Sequence, residues 1–328
     1  MKRIGFLFEK ILDRENLLLA FKKASKGKAS SPSVIEYSSD LEKNITDLYN
    51  GLKDLSYPVG NYNYFKIFDP KERMISSVPF SERVLHHAIM NICTPFFERF
   101  LIYDSYANCN GKGQFKAISR AQKFAHEYKW FLKCDIKKYF DSIPHDKLYA
   151  LLERKFKDSQ ILAWFKKLIE SYSVNVNRGL PIGNLSSQHF ANLYLDRIDR
   201  IHFPYVRYMD DFVFWSNDKN ELKNLLKRVQ TILECELGLS LKENSYINQT
   251  KHGMDFLGMR IFPNIIGLSR ASKFRYKRKL IKYKDDFENN ILSEYKYHES
   301  IKALTAFTNN CTCSNWRRNV IDDLGLYV

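Results

Sequence analysis

The chain has 328 residues, 45% of them hydrophobic and 15% aromatic, enough for a large core divided over two or three subdomains. With 52 Lys and Arg against 37 Asp and Glu, the formal net charge is +15, which points to a polyanionic partner, either nucleic acid or an acidic membrane surface. No apolar run approaches the ~18 residues of a membrane span, and the few Gly and Pro exclude a collagen-like or linker-dominated chain.

Residues 1 to 55 read as helical, with a polar break at Ser25-Lys-Gly-Lys-Ala-Ser-Ser-Pro-Ser33. The first helix starts basic and apolar, but Glu9, Asp13 and Glu15 interrupt it, so it is predicted to be amphipathic and not a signal peptide. Tyr62 to Phe68 and Arg73 to Val78 are extended runs joined by Asp69-Pro70-Lys71-Glu72, which predicts a hairpin. Helical spacing follows from Ser81 to Phe100. Trp130-Phe-Leu-Lys-Cys-Asp135 reads as a short, mostly buried strand. Further helices are predicted from Ile143 to Phe156, Asp158 to Tyr172, Ser186 to Ile201 and Glu221 to Leu237, the last ended by Gly238. Leu239 to Leu241 and Phe256 to Phe262 read as strands. Alternating strands and helices predict a mixed α/β (α+β) layered domain.

Six cysteines, with no CxxC pair, are expected to be free thiols in a reducing cytosol, and the chain to be cytoplasmic. Between Ser269 and Lys284 the cations Arg270, Lys273, Arg275, Lys277, Arg278, Lys279, Lys282 and Lys284 stand without one acid, interleaved with apolar residues. A basic helix of this kind suits a phosphate backbone.

The acids carry the chemistry. Asp210 and Asp211 sit inside Tyr205-Val-Arg-Tyr-Met-Asp-Asp-Phe-Val-Phe-Trp215, a run that otherwise reads as buried strand. Two buried adjacent carboxylates repel and lose their hydration. Either the pair lies at an exposed turn, or a cation sits on it. A tight hairpin with the pair at its tip, beside Asp135 at the end of its own strand, brings three carboxylates together. Oxygen-only ligands suit Mg²⁺, and two such ions about 3.5–4 Å apart can hold both oxygens of an in-line phosphoryl transfer.

Tyr208-Met-Asp210-Asp211, with Asp135 closing Phe131-Leu-Lys-Cys-Asp and a basic tail later, resembles the palm of reverse transcriptases, over about Tyr62 to Ile261. The resemblance implies a right-hand polymerase fold with fingers and palm over 61–265, a small basic helical thumb over 266–328, and an N-terminal helical extension over 1–60. It makes Asp135, Asp210 and Asp211 catalytic and metal-binding, with the backbone carbonyl of Ile136 as a further ligand of two Mg²⁺ ions, or Mn²⁺ in vitro. Lys71 and Arg73, in Pro70-Lys-Glu-Arg73, would hold the incoming triphosphate. Phe140 would stand against the sugar beside Ile136 and exclude a 2′-hydroxyl. Phe256-Leu257-Gly258 would grip the primer end, and Arg270, Lys273, Arg275, Lys277, Arg278 and Lys279 would contact nucleic acid. Family members often carry a Lys after the helix-ending Gly-Leu; Ser245 stands near that place and Lys242 three residues early, so the proton donor to pyrophosphate is unassigned.

The loop Gly179-Leu-Pro-Ile182-Gly183-Asn-Leu-Ser-Ser187-Gln188 narrows the resemblance. Most reverse transcriptases have Gln-Gly-x-x-x-Ser-Pro here. An aliphatic residue before Gly and Gln after Ser is the pattern of diversity-generating retroelements, which copy a template-repeat RNA into cDNA with errors opposite adenine. Ile182, Gly183 and Gln188 would then border the nucleotide site. That kinship implies template RNA and cDNA, a small basic multimeric accessory protein as partner, no membrane, and a bacterial or phage origin. The alternatives are a group II-like, retron-like or phage-defence reverse transcriptase of ordinary fidelity, and a catalytically silent RNA-binding scaffold.

Overall fold

The computed structural model describes residues 3–68 and 72–325. Lys71 and the Asp69-Pro70 turn therefore lie outside the described residues. Four N-terminal helices come first: α1 (Phe8–Leu12), α2 (Arg14–Ser25), α3 (Pro32–Ser39) and α4 (Leu41–Lys53). Asp13 starts α2 by accepting a hydrogen bond from the Glu15 amide, an N-cap. The hairpin of β1 (Asn63–Ile67) and β2 (Arg73–Ser77) leads into α5 (Phe80–Phe100). Leu17, Ala20, Leu48 and Leu52 enter one core with Val84, Leu85 and Ala88 of α5. Buried Asn16 ties the two layers by donating to the carbonyls of Ile11 and Ala88.

After α6 (Gln114–Glu127) the chain enters the central sheet. Its strands are β3 (Trp130–Asp135), β4 (Tyr205–Tyr208), β5 (Asp211–Ser216) and β6 (Tyr246–Gln249), antiparallel in the order β4-β5-β3-β6. Between β3 and β4 lie α7 (Tyr139–Ser142), α8 (His145–Lys155), α9 (Ser159–Glu170), α10 (Leu185–Tyr194) and α11 (Asp196–Asp199); α12 (Lys219–Thr231) follows β5. Phe212 and Phe214 of β5 face the large core with Leu132 and Cys134. Val213 and Trp215 face a second core with Phe131 and the α6 residues Ala117, Ile118 and Ala121. A strand covered on both sides has no polar face to show, which accounts for its unbroken apolar run.

A small antiparallel sheet follows, of β7 (Met254–Phe256), β8 (Met259–Ile261) and β9 (Ile266–Leu268). The thumb helices are α13 (Arg270–Glu288), α14 (Glu294–Ala306) and α15 (Ser314–Asp323), around Tyr276, Leu280, Tyr297, Ile301 and Val320. Sheet, helical fingers and thumb form a right-hand polymerase fold of mixed helix and strand.

Several expected elements differ. The helix expected over Ser186 to Ile201 divides at Leu195, where the backbone leaves helical geometry (φ −88°, ψ 11°). The strand expected over Leu239 to Leu241 is a single bridge between Leu241 and Ile136, because the segment passes the end of β3 and moves on. The strand expected over Phe256 to Phe262 is a hairpin: Leu257 and Gly258 both take positive φ (50° and 82°), the geometry of a tight two-residue turn. The helix ended by Gly238 holds, with its last turns from Ile232 to Leu237 widened to π-helical spacing. The six cysteines are free.

Candidate active site

Strand register assembles the acids. Asp135 pairs directly with Asp211 across β3 and β5, and Tyr208 pairs with Asp211 across β4 and β5. Met209 and Asp210 are therefore the two residues of the hairpin turn. Met209 takes φ 55°, a left-handed conformation that costs a side-chain-bearing residue on the order of 1 kcal/mol. The turn is held from below by Arg207, 0% exposed, which donates to the Met209 carbonyl (3.2 Å). The same guanidinium forks onto Asp199 (2.7 and 2.5 Å) and reaches both the side chain and the backbone carbonyl of Asn192. A buried bidentate pair with its remaining donors engaged sets a geometry firmly.

Like charges directly opposite in a sheet destabilise it. Two lysines compensate. Lys133, diagonal to Asp211 on the same face of the sheet, donates to its Oδ1 at 2.5 Å. Lys242 donates to Asp135 Oδ2 at 2.6 Å. Its backbone is fixed there too: the Lys242 amide bonds the Asp135 carbonyl, and the Lys137 amide the Ser240 carbonyl. That pair of bonds leaves the Ile136 carbonyl out. Lys242, and not Ser245, is thus the residue beside a site carboxylate; the Ser245 hydroxyl instead bonds the Lys242 carbonyl. Among the described residues, Asp210 has no such lysine. Burial, then the charges of Asp135 and Asp211, push its carboxyl up to about 6. Burial also raises Asp211, against the pull of Lys133.

An oxygen-only donor set with surplus negative charge fits a hard divalent cation. The strand ends bring Asp135, Asp210 and Asp211 side by side, yet among the described residues no three acid, imidazole or thiol groups form a ready-made metal-ligand set. Asp135 and Asp211 are drawn onto lysines instead.

The floor opens into a cleft of about 1280 Å³ lined by Asp211, Arg73 of β2, Leu257 and Gly258 of the β7–β8 turn, and Arg275 and Lys279 of α13. Gln114 braces that turn by donating to the Leu257 carbonyl. Leu257 and Gly258 of the Phe256-Leu257-Gly258 motif line the cleft, whereas Phe256 is 1% exposed. It lies under the ammonium of Lys133 at 5.1 Å, so it supports the site from beneath. The basic helix also divides. Arg275 and Lys279 line the cleft, Lys273 covers Trp316, and Arg270, Lys277 and Arg278 are exposed elsewhere.

Phe140 is half-buried in α7, and its carbonyl accepts from Leu180, which docks the 179–184 loop beside it. The Ile182 carbonyl accepts from the Ser76 amide, tying loop to fingers. Gly183 has φ 130°, and a Cβ there would stand 2.9 Å from the Ser76 carbonyl oxygen, so only glycine fits. Gln188 lines a separate pocket with Lys28, Arg83 and His87. Reading the sequence missed Lys133, Arg207, Asp199 and Asn192. The signal for the first two was a cation inside an apolar strand, which must have a buried partner.

An acid-tipped hairpin pairing with an acid-ended strand, at the floor of a cleft between the β1–β2 hairpin and the basic helix α13, is the arrangement of the right-hand polymerase fold. The chain belongs to the reverse transcriptase (RNA-dependent DNA polymerase) family, which it matches over residues 68–261, more than half its length. It is 23% identical to the COX1/OXI3 intron 2 protein of Saccharomyces cerevisiae, over 75% of this chain and 38% of that one. It is 26% identical to the group II intron-encoded protein LtrA of Lactococcus lactis subsp. cremoris, over 52% of this chain and 31% of that one. The chain thus spans 31–38% of the length of these relatives. Apo telomerase from Candida Tropicalis aligns over 87% of this chain and 64% of that one, at 11% identity and a TM-score of 0.49. Among the described residues no helix is long and apolar enough to cross a membrane.

Proposed function

We propose that the chain is an RNA-directed DNA polymerase that extends a DNA primer on an RNA template by nucleotidyl transfer. The observation that carries this is the register of Asp135 on Asp211 with Asp210 at the adjoining turn, facing Arg73 and the thumb cations across one cleft. Asp135, Asp210, Asp211 and the Ile136 carbonyl would hold two divalent ions, Mg²⁺ or in vitro Mn²⁺. Bound there, such ions would supply Lewis acidity to the attacking and leaving oxygens. Lys133 and Lys242 occupy the same carboxylate oxygens, so they neutralise the acids until a cation competes for them. Arg73, with Lys71, would carry the triphosphate, and Phe140 would close the sugar site against a 2′-hydroxyl.

Within that class the sequence Ile182-Gly183-x-x-x-Ser187-Gln188 favours the error-prone enzyme of a diversity-generating retroelement, acting with template-repeat RNA, the cDNA and a small basic accessory protein. An aliphatic side chain at 182 can make no hydrogen bond to a base or nucleotide. Losing a polar check of order 1–3 kcal/mol loosens discrimination by roughly 10- to 200-fold. The second reading is a reverse transcriptase of the group II intron kind, favoured by the likeness to a group II intron-encoded protein.

Primer extension on adenine-containing RNA with dNTPs and Mg²⁺, every cDNA sequenced, separates the readings. We expect errors concentrated opposite adenine, and no product from Asp211→Asn (a fall of at least ~100-fold). Ile182→Gln should lower the adenine errors by about tenfold or more. Accurate cDNA from the unmodified chain would select the group II-like reading. Tight RNA binding without cDNA would select the scaffold.

A further inference from the structure

A pocket of about 490 Å³ lies between α8, the junction of α10 and α11, and the π-helical end of α12. That volume is within the ~300–1,000 Å³ of ligand sites. Among the described residues, none lines both this pocket and the catalytic cleft. The apolar floor of Phe100, Leu151, Tyr194 and Leu237 belongs to the large core. The rim is charged: Lys147, Arg154, Lys155, Arg197 and Arg200 stand around it with Asp196 and Glu236, so five positive charges face two negative ones. Asp196 already has Lys155 (3.0 Å) and Arg200 (2.7 Å), and Glu236 has Arg197 (2.7 Å). Both acids are therefore neutralised from within, and the surplus is what an incoming anion meets.

The chemistry of the rim identifies the occupant. A guanidinium is a planar fork of donors that matches phosphate oxygens two at a time. Arg154, in the last turn of α8, and Arg197 and Arg200 are all exposed, and the two that hold acids keep further N–H donors to offer. Three such forks above an apolar floor suit a phosphate joined to a flat, weakly polar body. Glu236 completes the match, since a carboxylate accepts from the hydroxyl and amine donors that a nucleotide carries on sugar and base. The wall at Ile232–Leu237 is π-helix, a rare spacing that occurs often at functional sites. Its last carbonyls are tied down, Glu236 by Lys147 (2.7 Å) and Leu237 by the Tyr194 hydroxyl (2.6 Å), which holds that wall in place. We propose that this pocket binds a nucleotide away from the catalytic cleft, its phosphate on Arg154, Arg197 and Arg200, its sugar or base donors on Glu236 and its base over Leu151 and Leu237. The nucleotide is either free in solution or one residue of an RNA lying across this face. Nothing in the proposal needs the cleft to polymerise.

The test uses the full chain holding a saturating, unlabelled RNA–DNA primer–template, so that the cleft is filled. Binding of a fluorescein-labelled single-stranded oligouridine is then read by anisotropy, with ATP in chelator as competitor. Arg154→Gln with Arg197→Gln should weaken the labelled RNA roughly 10-fold or more. Lys22→Gln with Lys26→Gln removes the same charge from exposed positions on α2, and should change it by no more than about twofold. Displacement by ATP would identify the occupant as a free nucleotide; RNA that binds and resists ATP would identify it as a residue of RNA. Equal weakening by the two double variants, or none from the pocket pair, would overturn the proposal, because the RNA would then be following net charge alone. Aliquots given dNTPs and Mg²⁺ report primer extension, which both double variants should retain. Extension with no pocket-dependent binding removes the pocket and keeps the polymerase; pocket-dependent binding without extension does the reverse.

Discussion

The palm and the thumb treat their large side chains in opposite ways. In the palm Phe212, Phe214, Val213 and Trp215 are sealed on both faces of β5, and even the cation Arg207 is fully enclosed. In the thumb a small core holds three helices, while Phe274 (67% exposed), Ile291 and Tyr295 (76% exposed) stand out. Packing at native density fixes atoms to fractions of an ångström, which a metal-ligand constellation requires. A loosely cored lobe with exposed rings and cations tolerates displacement and suits a surface that must follow a duplex. The carboxylate geometry is thus set by what is buried, and the grip on nucleic acid, on the proposed function, would be set by what is left open.

Substitutions can break this contrast, the palm first. Arg207→Met leaves Asp199 buried without its partner, and should cost about 3–5 kcal/mol of stability by denaturant unfolding. Removing both charges with Asp199→Leu should recover part of that loss. A milder probe is Asp210. Its folded carboxyl titrates near 6 against an unfolded value near 3.8, so the folded chain binds the proton more tightly. Stability should therefore fall as pH rises from about 4 to 7, and the deficit is fully present above that range. Asp210→Asn should raise the melting temperature at pH 7.5 in chelator by the equivalent of about 1–3 kcal/mol, and the gain should vanish at pH 4. The thumb should respond more gently. Arg275→Ala with Lys279→Ala should leave the melting temperature within a few degrees, and lower the salt slope of duplex binding by roughly 0.7–0.9 per cation removed. A large unfolding effect there would mean that the thumb cations are structural.

How far the sequence foretold these regions follows the same division. The acids were legible because charge inside an apolar run demands a reason, and the hairpin at Met209-Asp210 follows from two apolar runs flanking them. The layer of α6 was not read, although its buried Ala117, Ile118, Ala121, Phe124 and Ala125 recur at helical spacing. Strand β6 was missed because Tyr246-Ile-Asn-Gln249 is a polar edge whose identity comes from pairing with β3. Phe256 read as a surface contact since its motif is a turn; its burial depends on α6 and Lys133, both distant in sequence. The contact of Lys242 with Asp135 is likewise tertiary, made by a loop that crosses the end of β3.

The two lysines at the carboxylates have a consequence for the life of the protein outside the reaction. A site that carries its own counter-ions does not depend on metal to fold, unlike a zinc finger, whose binding energy is its folding energy. On the proposed function, an ion binding there would displace the lysine ammoniums from the carboxylates, so that positive charge is exchanged at the site and not simply added to it.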